Sequence, residues 1–383
     1  MLRPTAANAV LAEIRQARAT GMSVVSLMRG EPDFPTPRHI KDAAVQALHA
    51  GRTAYPDNRG EPGLRESVAL KLKRDNALSY DAATDILVTT GATLGIHVAL
   101  QALVSDGDGV LLPDPVHDAY HSAIRLAGGV VQPVRASIAN DRFVVTPDAL
   151  EAAATSSSRV LILNSPWNPT GTVFTHAELT EIGEFAQCRN VWVICDEIYE
   201  TMVYDGRRHH SLASLSPDMR SRTVVVNALS KTYAMTGWRV GYCAAPATLI
   251  SAMLLILQQS SRGPATFVQD AAVAALTGPQ DEVEHMRRVY AERRGQVLSA
   301  LADLPYARVL TPEGGFFVMV DVRSANVPSN QLRQRLLRDH GVAVMHGSAY
   351  GPGGEGTIRV SFASGGQTLV DGLGRLRKGL SGL

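Results

Sequence analysis

SKTYAMTGWRVGY, residues 230–242, places a lysine in a chain that draws nearly all its positive charge from arginine. Of 37 basic residues only Lys41, Lys71, Lys73, Lys231 and Lys378 are lysines, so Lys231 stands alone between residues 73 and 378. Arginine stays protonated under ordinary conditions, whereas a lysine amine can lose its proton and attack a carbonyl. Read by itself, Lys231 is either a Schiff-base nucleophile or one more surface charge. The residues around it and the rest of the chain must decide.

Length and composition narrow the classes. A chain of 383 residues suits one large α/β domain plus a smaller one. Its 45% hydrophobic and 19% charged content is that of an ordinary globular protein, and a formal charge of +1 gives no reason to expect nucleic acid or an anionic membrane as partner. No apolar run is long enough for a membrane span, and the start, MLRPTAANAVLAEIRQARATG, reads as an amphipathic segment without the apolar core of a signal peptide. Cys188, Cys195 and Cys243 are widely spaced and form no CxxC pair, which suggests reduced thiols in a cytoplasmic protein. The 11 histidines fall in no ligand spacing, so no metal is expected.

From about residue 86 to 260, short apolar runs alternate with helical stretches. DILVTT (85–90), GVLLPD (109–114), GVVQPV (129–134), RVLILNS (159–165), NVWVICDE (190–197) and RTVVVNALS (222–230) are such runs. Near-continuous Val, Ile and Leu bounded by helices predicts a parallel sheet buried on both faces. The reading divides the chain into 1–45, an N-terminal segment contributing to a small domain, 46–280, the large domain, and 281–383, the small C-terminal domain. GSAYGPGGEG (347–356) reads as a loop within the small domain.

Ligands of open α/β sheets bind outside the carboxyl ends of the strands, where the informative residues of this chain collect. VTTGATLG (88–95) is strand, glycine turn and helix start, which is either a plain βα turn or a phosphate site built from free N–H groups. ICDEIY (194–199) puts Asp196 just past an apolar strand, where an unpaired carboxylate would cost several kcal/mol, so a cationic partner is expected. NSPWNPTG (164–171) ends a third strand, and SKTYAMTGWRVG ends a fourth with Ser230, Lys231 and Arg239 in one loop.

Together these are the parts that pyridoxal phosphate requires. Lys231 would hold its aldehyde, and Asp196 would pair with the protonated ring nitrogen and keep the ring an electron sink. Asn168 and Tyr199 would hydrogen-bond the ring hydroxyl oxygen. Ser230, Arg239 and the helix N-terminus after Gly91 would bind the phosphate, the arginine through a charge-assisted fork.

On these residues, with GEPDFPTP (30–37), YPDNRGEPGLRE (55–66), GATLGI (91–96) and IRVSF (358–362), the chain resembles the class I/II aminotransferases of fold type I, the aspartate aminotransferase superfamily. The motifs span nearly the whole chain. The resemblance implies a large domain whose mostly parallel seven-stranded sheet lies between helices, and a smaller α+β domain. It implies transfer of an amino group between an L-amino acid and a 2-oxo acid in a ping-pong mechanism, with Lys231 as the Schiff-base lysine that moves the α-proton. Ala92 and Thr93 would offer N–H groups to the phosphate. Tyr55 would reach the phosphate of a partner subunit, making the protein a homodimer with shared active sites. Arg359 would grip the substrate α-carboxylate, with the Gly30 backbone nearby.

The chain also departs from the family. Where relatives place Trp, Tyr or Phe over the cofactor ring, DPVHDAY (114–120) puts His117, which is either a stacking surface or a proton-passing group. Some aspartate-specific relatives carry lysine at the position of Thr93, so aspartate is not expected to be strongly preferred. Arg29, Trp167 and Arg262 lie beside motif residues and are candidates for shaping substrate choice, or else ordinary packing and surface. Two other readings stay open: another pyridoxal phosphate reaction on the same scaffold (a lyase, oxidase or cyclase), and a non-catalytic effector-binding module. Such regulators carry an N-terminal winged helix, and with 29 residues before Gly30 that reading is not the expected one.

Overall fold

The computed structural model describes residues 6–383; the first five residues of the expected amphipathic start and N-terminal segment lie outside the described residues. Among the described residues, a seven-stranded sheet organises the larger half. Its spatial order is Ile86–Thr89, Gly241–Ala244, Thr223–Ala228, Trp192–Asp196, Ser158–Asn164, Gly109–Asp114 and Val130–Arg135. Every neighbouring pair is parallel except those made by Gly241–Ala244, which runs antiparallel to both of its neighbours. Six of these strands coincide with the apolar runs read from the sequence. The seventh, Gly-Tyr-Cys-Ala, has no β-branched residue and only four positions, too little to signal a strand.

Helices cover both faces, which is why the central strands need no polar face. Val224, Val225 and Val226 are all fully buried. Each such side chain stabilises the sheet by roughly 1.5–3 kcal/mol. On one face, helix Ala92–Leu103 packs through Ile96, Ala99 and Leu100 on Val224 and Val226. On the other, Ile40 and Ala44 of helix Arg38–His49 join Ala271 and Ala275 of helix Thr266–Thr277. The expected division at residue 45 therefore falls inside a helix packed on the large sheet.

The C-terminal part builds on a four-stranded antiparallel sheet in the order Arg308–Leu310, Phe317–Asp321, Thr357–Ser361, Met345–His346. The N-terminal chain returns to it: Val25–Ser26 pairs in parallel with Val342–Ala343, and helix Ala6–Ala19 packs through Val10 and Ile14 near Met345 and Tyr350. The segment 347–356 forms two short turns that lean on the large sheet. Gly353 N donates to Asp114 Oδ2 at 2.9 Å and Val116 N to the carbonyl of Tyr350 at 2.8 Å. The carboxyl ends of the large sheet's strands are thus roofed by residues from both ends of the chain.

Candidate active site

Lys231 occupies a single helical turn, Leu229–Thr232, that begins where strand Thr223–Ala228 ends. Its half-buried Nζ donates to the carbonyl of Gly30 at 2.6 Å. Burial brings its pKa down to about 8, with Arg239 and Arg359 adding to the effect and Glu31 and Asp196 opposing it. Lys71 is also buried, but it is tied to Glu200 and, at 2.7 Å, to Asn76. Of these two lysines, Lys231 is the one that faces a cavity.

That cavity has a volume of about 710 Å³, which places it among ordinary ligand sites. Asp196 lies at its inner end, buried. The Tyr120 hydroxyl donates to its Oδ2 at 2.7 Å and the Ile198 N–H to its Oδ1 at 3.2 Å. Both donors are neutral, and burial pushes this carboxyl up to about 6. An acid in that state is missing the cation expected beside it. Asn164 and Asp196 are paired in register on adjacent strands, and Asn164 bridges two neighbours: its Nδ2 donates to the Asp196 carbonyl at 2.9 Å and its Oδ1 accepts from Asn168 N at 2.8 Å. Tyr199 follows Asp196 by one helical turn's length, with its ring edge-on to Phe316 and Phe317.

A second corner is made for an anion. Helix Ala92–Leu103 starts at Gly91, which has no side chain to cap the first turn, so the N–H groups of Ala92 and Thr93 sit at the positive end of the helix dipole. Gly91 holds φ +82°, and a Cβ there would come within 2.7 Å of the Arg239 guanidinium. Arg239 itself adopts φ +56°, a left-handed conformation that costs a non-glycine residue about 1–2 kcal/mol. This strained turn aims the guanidinium at the helix start. Gly241 is needed for the same approach, because a Cβ there would lie 2.9 Å from Ala92 N. Ser230 faces the same corner of the cavity.

Arg359 enters from the small sheet. It is buried, and its Nη1 donates to Asn168 Oδ1 at 3.1 Å and its Nη2 to the Met28 carbonyl at 3.3 Å. Its guanidinium lies 4.0 Å from the Phe317 ring centre and 5.0 Å from that of Tyr350, and its buried Nε has no partner. Gly30, Arg29 and His117 also line the cavity. His117 lies 5.6 Å from Tyr120, edge to face, and its Nδ1 is 3.3 Å from Asp118. Enclosure keeps the imidazole's pKa below its usual value, Asp118 opposing and Arg359 and Lys231 reinforcing the shift.

Three expected residues stand elsewhere. Trp167 is in the core, stacked on Phe174 at 5.8 Å and edge-on to Phe143, and does not line the cavity. Tyr55 is 87% exposed on the outer surface. Arg262 lies over its ring at 5.9 Å and near Asn58. The sequence reading did not assign Tyr120, Asn164, Phe317 or Tyr350. Tyr120 and Asn164 stand in segments already singled out, while Phe317 and Tyr350 reach the site only through folding.

The chain matches the family model described as aminotransferase class I and II over residues 23–373. It is 35% identical to an aspartate aminotransferase of Geobacillus stearothermophilus, over 98% of this chain and 96% of that protein. The structure of the Thermus thermophilus aspartate aminotransferase with maleate superposes with a TM-score of 0.93 at 35% identity, covering 99% of this chain and 97% of that one. An aromatic aminotransferase from Pyrococcus horikoshii OT3 gives a TM-score of 0.89 at 39% identity, over 95% and 98% of the two chains.

Proposed function

The chain belongs to the class I and II aminotransferases, enzymes that use pyridoxal phosphate to transfer amino groups between amino and 2-oxo acids, and we propose the following roles for its residues. The observation that carries the proposal is the convergence on one cavity of Lys231, a buried Asp196 without a cation, and the Arg359 guanidinium. The site fits the cofactor. Asp196 would hold the positive charge of the ring nitrogen, and the Tyr120 hydroxyl orients the carboxylate toward it. Asn168 and Tyr199 would donate to the ring oxygen. The N–H groups of Ala92 and Thr93, the Ser230 hydroxyl and Arg239 would bind the phosphate, and His117 would form the wall against the ring.

When bound, pyridoxal phosphate supplies an aldehyde that accepts the amino group and a ring that withdraws electrons from the substrate's α carbon. Arg359 takes the substrate α-carboxylate in a bidentate fork, and the aromatic rings of Phe317 and Tyr350 keep that guanidinium from swinging. With a pKa near 8, the Lys231 amine loses its proton far more readily than a solvated lysine, so it can take the α-proton and return it. The Gly30 carbonyl holds Nζ on the side of the cavity where Arg359 fixes the substrate.

The proposal extends to assembly and place. Tyr55 and Arg262, exposed side by side, would meet the cavity of a second copy in a homodimer with shared sites. The large domain would comprise residues 46–280 together with the whole of helix Arg38–His49, and the chain before that helix would join 281–383 in the smaller one. No helix among the described residues is long and apolar enough to cross a membrane, and Cys188, Cys195 and Cys243 are all unpaired, which supports a cytoplasmic protein. Amine transfer from an L-amino acid should depend strictly on an added 2-oxo acid, with parallel double-reciprocal lines. Steady consumption of amino acid with no acceptor present would point to a lyase or oxidase on this scaffold instead.

A further inference from the structure

Arg359 fixes more than a carboxylate. Tyr350, whose ring lies 5.0 Å from its guanidinium, belongs to an apolar cluster with Val10 and Ile14 of helix Ala6–Ala19, Met28 and Met345. Ala7, Met28 and Met345 of that cluster line the cavity, as do Leu11 of the same helix as Val10 and Ala119 and Ala123 of helix Ala119–Leu126. Leu11 is 45% exposed, so its apolar surface is free at the mouth. An amino acid held by its α-carboxylate on Arg359 lays its side chain along this wall.

The charges that this chain itself brings to the cavity are otherwise engaged. Among the described residues its cationic side chains are Arg29, Lys231, Arg239 and Arg359. Arg29 spends its Nε and Nη2 on the carbonyls of Glu31 and Pro32 and lies 3.5 Å from the Glu31 carboxylate. Arg239 is committed to the helix start at Gly91, and Lys231 to the reacting centre. What the wall does carry is the carboxylate of Asp118, with the His117 imidazole beside it at 3.3 Å and His121 also close, and no arginine or lysine paired with it among the described residues. A second carboxylate on the substrate would therefore leave water for an apolar wall and a like charge, an unfavourable exchange.

We infer that the amino donor is an L-amino acid with an uncharged, apolar side chain of leucine to phenylalanine size, and that Leu11 and Asp118 set this preference. The inference rests on the role proposed above for Arg359. Its test is the donor half-reaction alone, followed by the cofactor's absorbance in the holoenzyme, which needs no choice of acceptor. Leucine, methionine and phenylalanine should exceed aspartate, glutamate and lysine by about 100-fold in kcat/KM, the scale of discrimination by a shaped apolar pocket. Leu11→Arg, at a half-exposed helix position where folding tolerates it, should raise aspartate and glutamate at least about tenfold and depress leucine. Asp118→Asn should narrow the gap between acidic and apolar donors.

An acidic or basic donor ranked first would overturn the inference, as would a ranking that Leu11→Arg leaves in place. An aspartate preference that vanishes in Arg29→Ala or Arg262→Ala would assign the side-chain end to that guanidinium instead. A holoenzyme that reacts with none of these donors would overturn the aminotransfer reading itself, and this one with it.

Discussion

The phenol of Tyr120 donates to Oδ2 of Asp196 at 2.7 Å, joining residues 76 positions apart at the buried end of the cavity. The bond holds down the proton affinity of a carboxyl that burial pushes up to about 6, and burial raises the phenol's own pKa so that it stays a donor. In the role proposed for it, the pair would supply a negative charge to the cofactor's ring nitrogen, and without that partner the buried carboxylate is unfavourable.

Asp196→Asn should leave a folded protein whose kcat/KM falls by about 100- to 1000-fold. Removing one member of a buried charge pair costs roughly 3–5 kcal/mol, and each 1.4 kcal/mol is a factor of ten. Tyr120→Phe should cost less, because the charge remains and only its orientation and proton affinity change, with the acidic limb of the pH profile displaced upward. Steady-state kinetics from pH 5 to 9 measure both. Unchanged activity in Asp196→Asn would remove it from the ring nitrogen.

The cofactor-free protein should pay for Asp196 in stability. Its pKa is raised in the fold, from 3.8 to about 6, so the native state binds more protons than the unfolded chain between those values. Stability from this group is present below pH 4 and lost as pH rises through 6. The loss amounts to about 3 kcal/mol. Asp196→Asn should abolish that slope and melt a few degrees higher than the parent at pH 7, the difference shrinking when cofactor is added. Equal melting temperatures across this range would mean that the carboxylate already has its partner.

The strand ends carrying this chemistry were legible in the sequence because a strand buried on both faces leaves an unbroken Val/Ile/Leu run that stops at the site. Asp196 follows WVIC and Lys231 follows VVVNALS for that reason. Contacts made across the fold leave no such trace. The Tyr120 bond to Asp196, and the closing of Phe317 and Tyr350 around Arg359, depend on how five separate segments pack. Proximity in sequence also misleads. Trp167 precedes Asn168, but its backbone is locked in a turn by bonds to Thr172 and Gly171, and its ring goes to the Phe143–Phe174 core. Tyr55 and Arg262 also stand beside motif residues, yet they pair with each other on the outer surface, away from the cavity of their own chain.

Lys231→Ala and Lys231→Arg should both abolish turnover, since a guanidinium cannot give up its proton at these pH values. The lowered pKa gives an independent readout. In cofactor-free protein, acylation of Lys231 should rise with a midpoint near pH 8, while ordinary lysines follow only above pH 10. Peptide mass spectrometry after brief labelling at graded pH reports this directly. A midpoint near 10 for Lys231 would show that the cavity does not activate the amine.

Arg359→Lys should raise KM about 10- to 100-fold for every amino acid tried and lower kcat less. An ammonium at this place cannot form the two parallel bonds to a carboxylate, nor lie flat against Phe317 and Tyr350. It would also leave Asn168 Oδ1 without its donor. If one substrate alone is weakened, Arg359 reads a side chain rather than the shared α-carboxylate.

His117 is the clearest departure from the aromatic residues of relatives, and its surroundings decide between a surface and a proton carrier. Enclosure, with Arg359 and Lys231 nearby, holds the imidazole's pKa below the usual range, and Asp118 at 3.3 Å only partly offsets this. That direction favours the neutral ring, which leaves its flat face as its contribution. His117→Phe should keep kcat/KM within about threefold and leave the profile between pH 6 and 8 unmoved, because a phenyl ring offers the same face. His117→Ala should lose more, about 10-fold, through the missing contact area. A collapse in His117→Phe comparable to that in His117→Ala, or loss of one limb of the profile, would show that the imidazole nitrogen takes part in proton movement.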